Sequence, residues 1–384
     1  MKFSIYGINF YNKGAELMMH AAMQQVKEWD NNNIIAAQLN IGDFDKRKKT
    51  GLNHLAWGST RTNKTRKGTL AYYLSDFIPK GIRTKYNITL AREIDVILDA
   101  SGFAFSDQWG HAKTERMAQL CSIWKKQGKK TILLPQAFGP FNNEKVRTAF
   151  IKLIDNIDLA FARDYKSYEY ISQLNVPLDR IKVAPDFTNL LEPEEPDYID
   201  ELRGRPCIVP NQRMIDKTSQ QESQAYFSFL EKSLEYLDVK QLNPFILIHE
   251  LNDVKIGNSL QEKLGSRFQV VQDDNPLYLK GILNNCSFMI GSRFHSLISA
   301  LSQGTPAIGT GWSHKYQMLF KDYDCSGMLV SAIDASSNKY LEKLDMLIDE
   351  QTRSSLVEKL TTASNSQKQL TKNMWQEVKT VTEL

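Results

Sequence analysis

An arginine and a histidine stand two residues apart in Gly291-Ser-Arg-Phe-His-Ser296, where a short apolar run gives way to a helical pattern. Backbone N–H groups at the start of a helix attract anions, and a neighbouring arginine adds a fixed positive charge. Imidazole is the side chain whose charge changes nearest neutral pH, so His295 is a candidate acid or base. Two plainer roles fit equally well: His295 as a helix cap, and Arg293 as the partner of a surface carboxylate. Gly311-Trp-Ser-His-Lys315 follows the next expected strand. Lys315 there suits a phosphate ligand or an ordinary solvated lysine, and His314 reads as a loop residue.

Other polar groups follow earlier strands. Phe161-Ala-Arg-Asp164 would project Arg163 from a sheet edge toward a ligand, with Asp164 capping the next helix. Asn211-Gln-Arg213 places Arg213 after another strand. The stretches Asn12-Lys-Gly-Ala-Glu16, Asp99 to Asp107 and Pro135-Gln-Ala-Phe-Gly-Pro140 hold glycines suited to loops against a ligand, or simply to turns. The single glycine of the first is no GxGxxG, so a dinucleotide site is not supported. GxSxG, P-loop and HExxH signatures are missing. His20, His54, His111, His249, His295 and His314 show no metal-ligand spacing. Cys121, Cys207, Cys286 and Cys325 form no CxxC pair. Neither a metal nor a disulfide framework is expected.

These residues need a scaffold that gathers strand ends. Short apolar strands are expected at 2–7, 34–39, 94–100, 131–134 and 157–162, with helices near 15–29, 112–127, 143–154 and 165–174. The Pro-rich, acidic segment 191–206 breaks the rhythm as a linker. Alternation resumes with Cys207-Ile-Val-Pro-Asn211 and with strands at 245–249, 268–272, 287–291 and 306–310, with helices between them. This pattern predicts an α/β protein with two doubly wound, Rossmann-like domains: 1–190, then the linker 191–206, then 207–336, with a helical tail over 337–384. Ligands bind at the carboxyl ends of such strands, and a cleft between the two domains is the expected site.

The chain has 384 residues, enough for two domains with a substantial core. Its 48 Lys+Arg against 44 Asp+Glu give a net charge of +4, too small by itself to signal nucleic-acid binding. No run of about 18 apolar residues is present, so no membrane-spanning helix is expected. The N-terminus reads as a strand without a signal-peptide core, which points to the cytosol. Residues 45–92 carry twelve Lys/Arg against Asp45 and Asp76. The stretch reads as a solvated insertion, as a contact with an anionic membrane surface, or as a nucleic-acid patch, the last without any supporting motif.

Taken in order, Asn12-Lys-Gly-Ala-Glu16, the Ser101-Gly102 loop, Pro135 to Pro140, Ala162-Arg-Asp164, Pro185-Asp186 and Ser292-Arg-Phe-His-Ser296 with Lys315 resemble the polysaccharide pyruvyl transferase family over roughly residues 1–320. Two departures stand out: Ser101-Gly-Phe-Ala replaces a multi-glycine loop, and 43–92 has no counterpart in the resemblance. The resemblance implies a fold like that of GT-B glycosyltransferases. It implies transfer of the pyruvyl group of phosphoenolpyruvate onto two sugar hydroxyls, forming a cyclic ketal in surface-polysaccharide synthesis. Catalytic roles then fall to His295, Arg163 and Lys315, and substrate contacts to Arg293, Arg213, Phe294, Asn12, Glu16 and Asp107. Phosphoenolpyruvate enters as donor substrate with no separate cofactor. The other expected partners are a sugar acceptor, free or lipid-linked, and the inner membrane face, with the phosphoenolpyruvate side in the C-terminal domain and the acceptor side in the N-terminal one. Two other readings remain: a nucleotide-sugar glycosyltransferase of the same architecture, and a non-catalytic membrane- or nucleic-acid-binding protein. The first usually holds the ribose with a carboxylate, whereas Thr310-Gly-Trp-Ser-His follows strand 306–310 here.

Overall fold

The computed structural model describes residues 1–38, 40–56, 75–311, 313–331, 333 and 340–383. The chain forms two compact units: Met1–Phe10, Met18–Phe187 and Thr371–Leu384 in unit 1, and Tyr11–Leu17 with Thr188–Leu370 in unit 2.

Unit 1 is built on strands β1 (Lys2–Tyr6), β2 (Ile34–Gln38), β3 (Asn53–Ala56), β4 (Ile88–Leu90), β5 (Val96–Asp99), β6 (Lys130–Gln136), β7 (Leu159–Ala162) and β8 (Ile181–Val183). Helices α1 (Lys13–Trp29), α2 (Phe44–Lys49), α3 (Lys80–Lys85), α4 (His111–Lys126), α5 (Glu144–Ile154) and α6 (Tyr165–Ser172) lie between them in sequence. The sheet order is β4-β3-β2-β1-β5-β6-β7-β8, and neighbouring strands run parallel. The chain winds outward from β1, returns to its other side at β5, and winds outward again. The turning point lies between β1 and β5, the position where such sheets bind ligands. The carboxyl ends of these two strands approach so closely that a Cβ on Gly7 (φ +78°) would lie 2.4 Å from Ser101 Oγ. Fully buried runs such as Val96-Ile-Leu-Asp99 and Leu159-Ala-Phe-Ala162 explain why the sheet is parallel and enclosed.

Unit 2 repeats the plan with β9 (Cys207–Val209), β10 (Phe245–Ile248), β11 (Val270–Gln272), β12 (Met289–Gly291) and β13 (Ala307–Gly309), all parallel in the order β11-β10-β9-β12-β13. Its helices are α7 (Arg213–Asp216), α8 (Gln220–Val239), α9 (Val254–Leu264), α10 (Pro276–Asn285), α11 (Phe294–Leu301), α12 (His314–Asp322), α13 (Leu341–Ile348) and α14 (Glu350–Thr382). Here the turning point lies between β9 and β12.

Three expectations change. The basic stretch 43–92 is not wholly an insertion, because it supplies edge strands β3 and β4. Arg61, Lys64, Arg66 and Lys67 lie outside the described residues. The segment 191–206 belongs to unit 2 instead of linking two bodies. Glu194 N donates to Leu277 O, Tyr198 Oη to Asp273 Oδ2 at 2.6 Å, and Gly204 N to Asn285 O, so its polar groups are stitched to that unit. The helical tail is divided: α14 changes unit at Thr371, and its Trp375 ring packs 5.7 Å from Trp29 in unit 1.

Candidate active site

In unit 2 the turn after β12 is bolted from several directions. Asn211, just beyond β9, donates from Nδ2 to Ser292 O at 2.6 Å, and Tyr316 Oη donates to the same carbonyl at 2.9 Å. Tyr226 Oη and Ser292 Oγ are 2.5 Å apart, and the Asn211 amide donates to Tyr226 Oη. The turn is thereby rigid before α11 begins at Phe294.

Arg293 precedes that helix and is buried. Its Nε donates to Asp253 Oδ2 at 2.8 Å, its Nη2 to Asp253 Oδ1, and its Nη1 to Glu250 Oε2. Asp253 also accepts from Gln212 N at 2.8 Å. Neither acid is a surface group, since Asp253 is fully buried and Glu250 nearly so. Burial raises the Asp253 carboxyl despite the pull of Arg293. Burial pulls the Arg293 guanidinium down, but Asp253 and Glu250 together carry it above its ordinary value, so it stays charged. The charge of Arg293 is therefore matched by two carboxylates within the protein.

His295 occupies the first turn of α11. Its ring meets Phe294 edge-on at 5.6 Å, and Phe294 meets Tyr316 in the same way at 5.6 Å. Lys315, on the first turn of α12, holds its Nζ 4.8 Å from the Phe294 ring centroid and 5.3 Å from that of Tyr316. Phe294 thus has the imidazole and the ammonium group as neighbours. His314 opens α12 instead of lying in a loop.

The first turn of α1 also belongs to unit 2. Asn12 caps that helix, its Oδ1 accepting from Gly14 N at 2.9 Å and Ala15 N at 3.3 Å, and pairs with Glu250 through an isolated antiparallel bridge. Glu16 is buried against Lys13 at 3.0 Å, and Lys13 Nζ donates to Asp274 O at 2.6 Å. Next to Glu250, His249 is buried and pushed down to about 3, first by burial and then by the charges of Arg293, His295 and Lys13. It is a neutral imidazole. Arg213 lies on the short helix α7 and is paired with Asp216 at 3.3 Å.

The remaining residues lie in unit 1. Arg163, after β7, is buried and donates to Asp186 Oδ2 at 3.1 Å. Asp164 caps α6 by accepting from Ser167 N. Asp107 accepts from Asn142 N at 2.7 Å and Asn143 N at 3.1 Å, tying its loop to the next. At the carboxyl end of β5, Asp99 accepts from Ser101 Oγ and Gln136 Nε2, and burial raises its carboxyl.

The motifs in the sequence give no role to Lys13, His249, Glu250 or Asp253. His249 and Glu250 directly follow β10, and that position was the available signal. Among the described residues, no group of three His, Cys, Asp or Glu side chains is arranged to hold a metal ion. Among them, too, no helix is long and apolar enough to cross a membrane.

Comparison with known proteins places these features in context. The model of one family, polysaccharide pyruvyl transferase, matches residues 12–314. The amylovoran biosynthesis protein AmsJ of Erwinia amylovora is 20% identical over 281 residues, covering 67% of this chain. That alignment spans 66% of AmsJ, just under two thirds of its length. Among solved structures, Anabaena Alr3699/HepE in complex with UDP-glucose superposes with a TM-score of 0.61 at 14% identity, covering 100% of both chains. The Staphylococcus aureus MnaA–UDP structure gives 0.58 at 10% identity, covering 98% of this chain and 95% of that one. At such identities the likeness is one of fold: two parallel α/β sheets, as the sequence pattern predicts, of the GT-B kind that the family resemblance implies.

Proposed function

The chain belongs to the polysaccharide pyruvyl transferase family, and from that premise we propose that it moves the pyruvyl group of phosphoenolpyruvate onto two hydroxyls of a sugar during exopolysaccharide synthesis. The observation that carries this reading is the grouping of His295, Phe294 and Lys315 at the starts of α11 and α12, beside the turning point of the unit 2 sheet. Phosphoenolpyruvate is a small dianion or trianion with an electron-rich methylene. A cation, a proton donor and an apolar face answer those three features.

In the proposed reaction His295 gives a proton to C3, turning the methylene into a methyl group and leaving C2 electron-poor. One sugar hydroxyl adds to C2. Phosphate then leaves from C2, and the second hydroxyl closes the ketal. Of the two hydroxyl protons, one replaces that spent by His295 and the other leaves with phosphate. A positioned acid of this kind contributes about 10²–10⁴-fold, and fixed positive charge around the phosphate adds to it. We assign Lys315 to the phosphate. Arg293 acts from behind, holding Glu250 and Asp253 and so the turn that carries His295. Arg163 of unit 1 and Arg213 of unit 2 are further candidate cations. We assign the acceptor to unit 1, with the basic stretch 43–92 as a peripheral contact with the inner membrane face.

Thermal-shift titration tests the donor. Phosphoenolpyruvate is expected to raise the melting temperature, and a UDP-sugar is not. Stabilisation by UDP-sugars alone would replace this reading with a nucleotide-sugar transferase.

A further inference from the structure

Gly14 occupies the first turn of α1, where its backbone packs directly on the imidazole of His295. A Cβ built on Gly14 would lie 2.2 Å from His295 Nδ1, 2.7 Å from Cγ and 3.0 Å from Cε1. No real contact is that short, so any larger residue must displace the ring or the helix turn. The turn itself is well anchored. Asn12 caps it, the buried Lys13–Glu16 ion pair fills its inner side, and Lys13 reaches the Asp274 carbonyl. The ring is the more movable partner.

A glycine inside a helix is ordinarily a liability, because alanine is the better helix former. Its presence at this buried position therefore calls for a local reason, and the three atoms nearest its missing Cβ all belong to the imidazole. We propose that Gly14 is a positioning residue for His295: by carrying no side chain, it lets the start of α1 form the wall that fixes the Nδ1 side of the imidazole and so decides which ring edge is presented to the donor. The proposal takes the role of His295 as proton donor from the reading above.

The test uses the full-length protein with Gly14→Ala, His295→Ala and the double variant. The histidine ring ¹⁵N spectrum is recorded for wild type and Gly14→Ala, with the His295 signals identified by their loss in His295→Ala. The Gly14→Ala exchange is expected to move those signals. It should lower the melting temperature in the wild-type background but leave it unchanged or raise it when His295 is alanine, since the obstacle is then gone. Phosphate release from phosphoenolpyruvate should fall about 100-fold in kcat, the scale of an ångström-sized misplacement, with KM for phosphoenolpyruvate little changed. Unmoved ring signals, equal melting shifts in both backgrounds, or an unaltered kcat would each overturn the proposal. If wild type releases no phosphate at all, the reading of the reaction fails, while the ring spectrum and the melting cycle still decide whether Gly14 fixes His295.

Discussion

Arg293 grips Asp253 with two parallel hydrogen bonds, Nε to Oδ2 at 2.8 Å and Nη2 to Oδ1, in a pair that is buried on both sides. A bidentate fork of this kind orients as well as attracts. Removing one member of a buried pair leaves the other charge unmatched and costs about 3–5 kcal/mol. Asp253→Asn should therefore lower stability by that order in a denaturant melt. Arg293→Lys should do nearly the same, because an ammonium group cannot reproduce the fork. A change under about 1 kcal/mol in both would show that the cluster does not hold the turn.

His249 predicts a pH dependence. Its folded-state value is depressed to about 3 by burial and by the neighbouring Arg293, His295 and Lys13 charges, against an ordinary value near 6.5. Between those values the unfolded chain binds the proton and the folded one does not. Stability attached to His249 is thus fully present above about pH 6.5 and declines as the pH falls, by up to about 1.4 kcal/mol per unit. Asp99 and Asp253 are raised by burial and act in the opposite sense, and His54, lowered by burial, acts in the same sense. The share of His249 is isolated by comparing wild type and variant across the window of about pH 6.5 to 5. In it, His249→Gln should flatten the fall in urea midpoint relative to wild type; parallel curves would refute the assignment.

Lys315 gives a binding prediction. Its ammonium group rests near the Phe294 and Tyr316 rings, 4.8 Å and 5.3 Å from their centroids. Lys315→Met keeps the stem and removes the charge. It should weaken phosphoenolpyruvate affinity by roughly tenfold to a hundredfold, the range expected for one charge-assisted hydrogen bond to phosphate, with the fold intact by circular dichroism. Unchanged affinity by calorimetry would take Lys315 out of the donor site.

The proposed membrane contact would rest on unit 1. Not all of its basic residues are available: Arg47 is buried and donates to the Ile41 and Gly42 carbonyls and to His54, and Arg83 pairs with Glu93 at 2.6 Å. Lys80 and Lys85 lie on α3, which has no buried residue, and Phe77 just before it is 80% exposed. Charge attraction of about 1 kcal/mol per basic residue plus apolar insertion favours anionic bilayers. Co-sedimentation with phosphatidylglycerol-containing vesicles, but not with phosphatidylcholine alone, is expected, and Phe77→Ser with Ile82→Ser should weaken it. Absence of binding to either vesicle would exclude this surface.

How far the sequence discloses this arrangement follows from the range of each signal. Helix α10 and the junction at Gly291 follow from local punctuation, with Asn275 and Pro276 starting the helix and an apolar run ending at glycine. Edge strands β3 and β4 are short, and residues such as Asn53, His54 and Thr89 hide them inside a basic stretch. Partners distant in the chain are harder still. Asp253 lies 40 residues from Arg293, and the Asp274 carbonyl lies 261 residues from Lys13, so no spacing rule joins them. The same holds for Gly14, whose reason for being glycine is a ring on the far side of the sequence.

The most direct test of the central claim is phosphate release from phosphoenolpyruvate, followed with a panel of galactosides, glucosides and N-acetylmannosaminides, for wild type and His295→Ala side by side. Acceptor-dependent release by wild type is expected, with a loss of about 10²–10⁴-fold in the variant and both proteins folded. Near wild-type turnover in His295→Ala would contradict it.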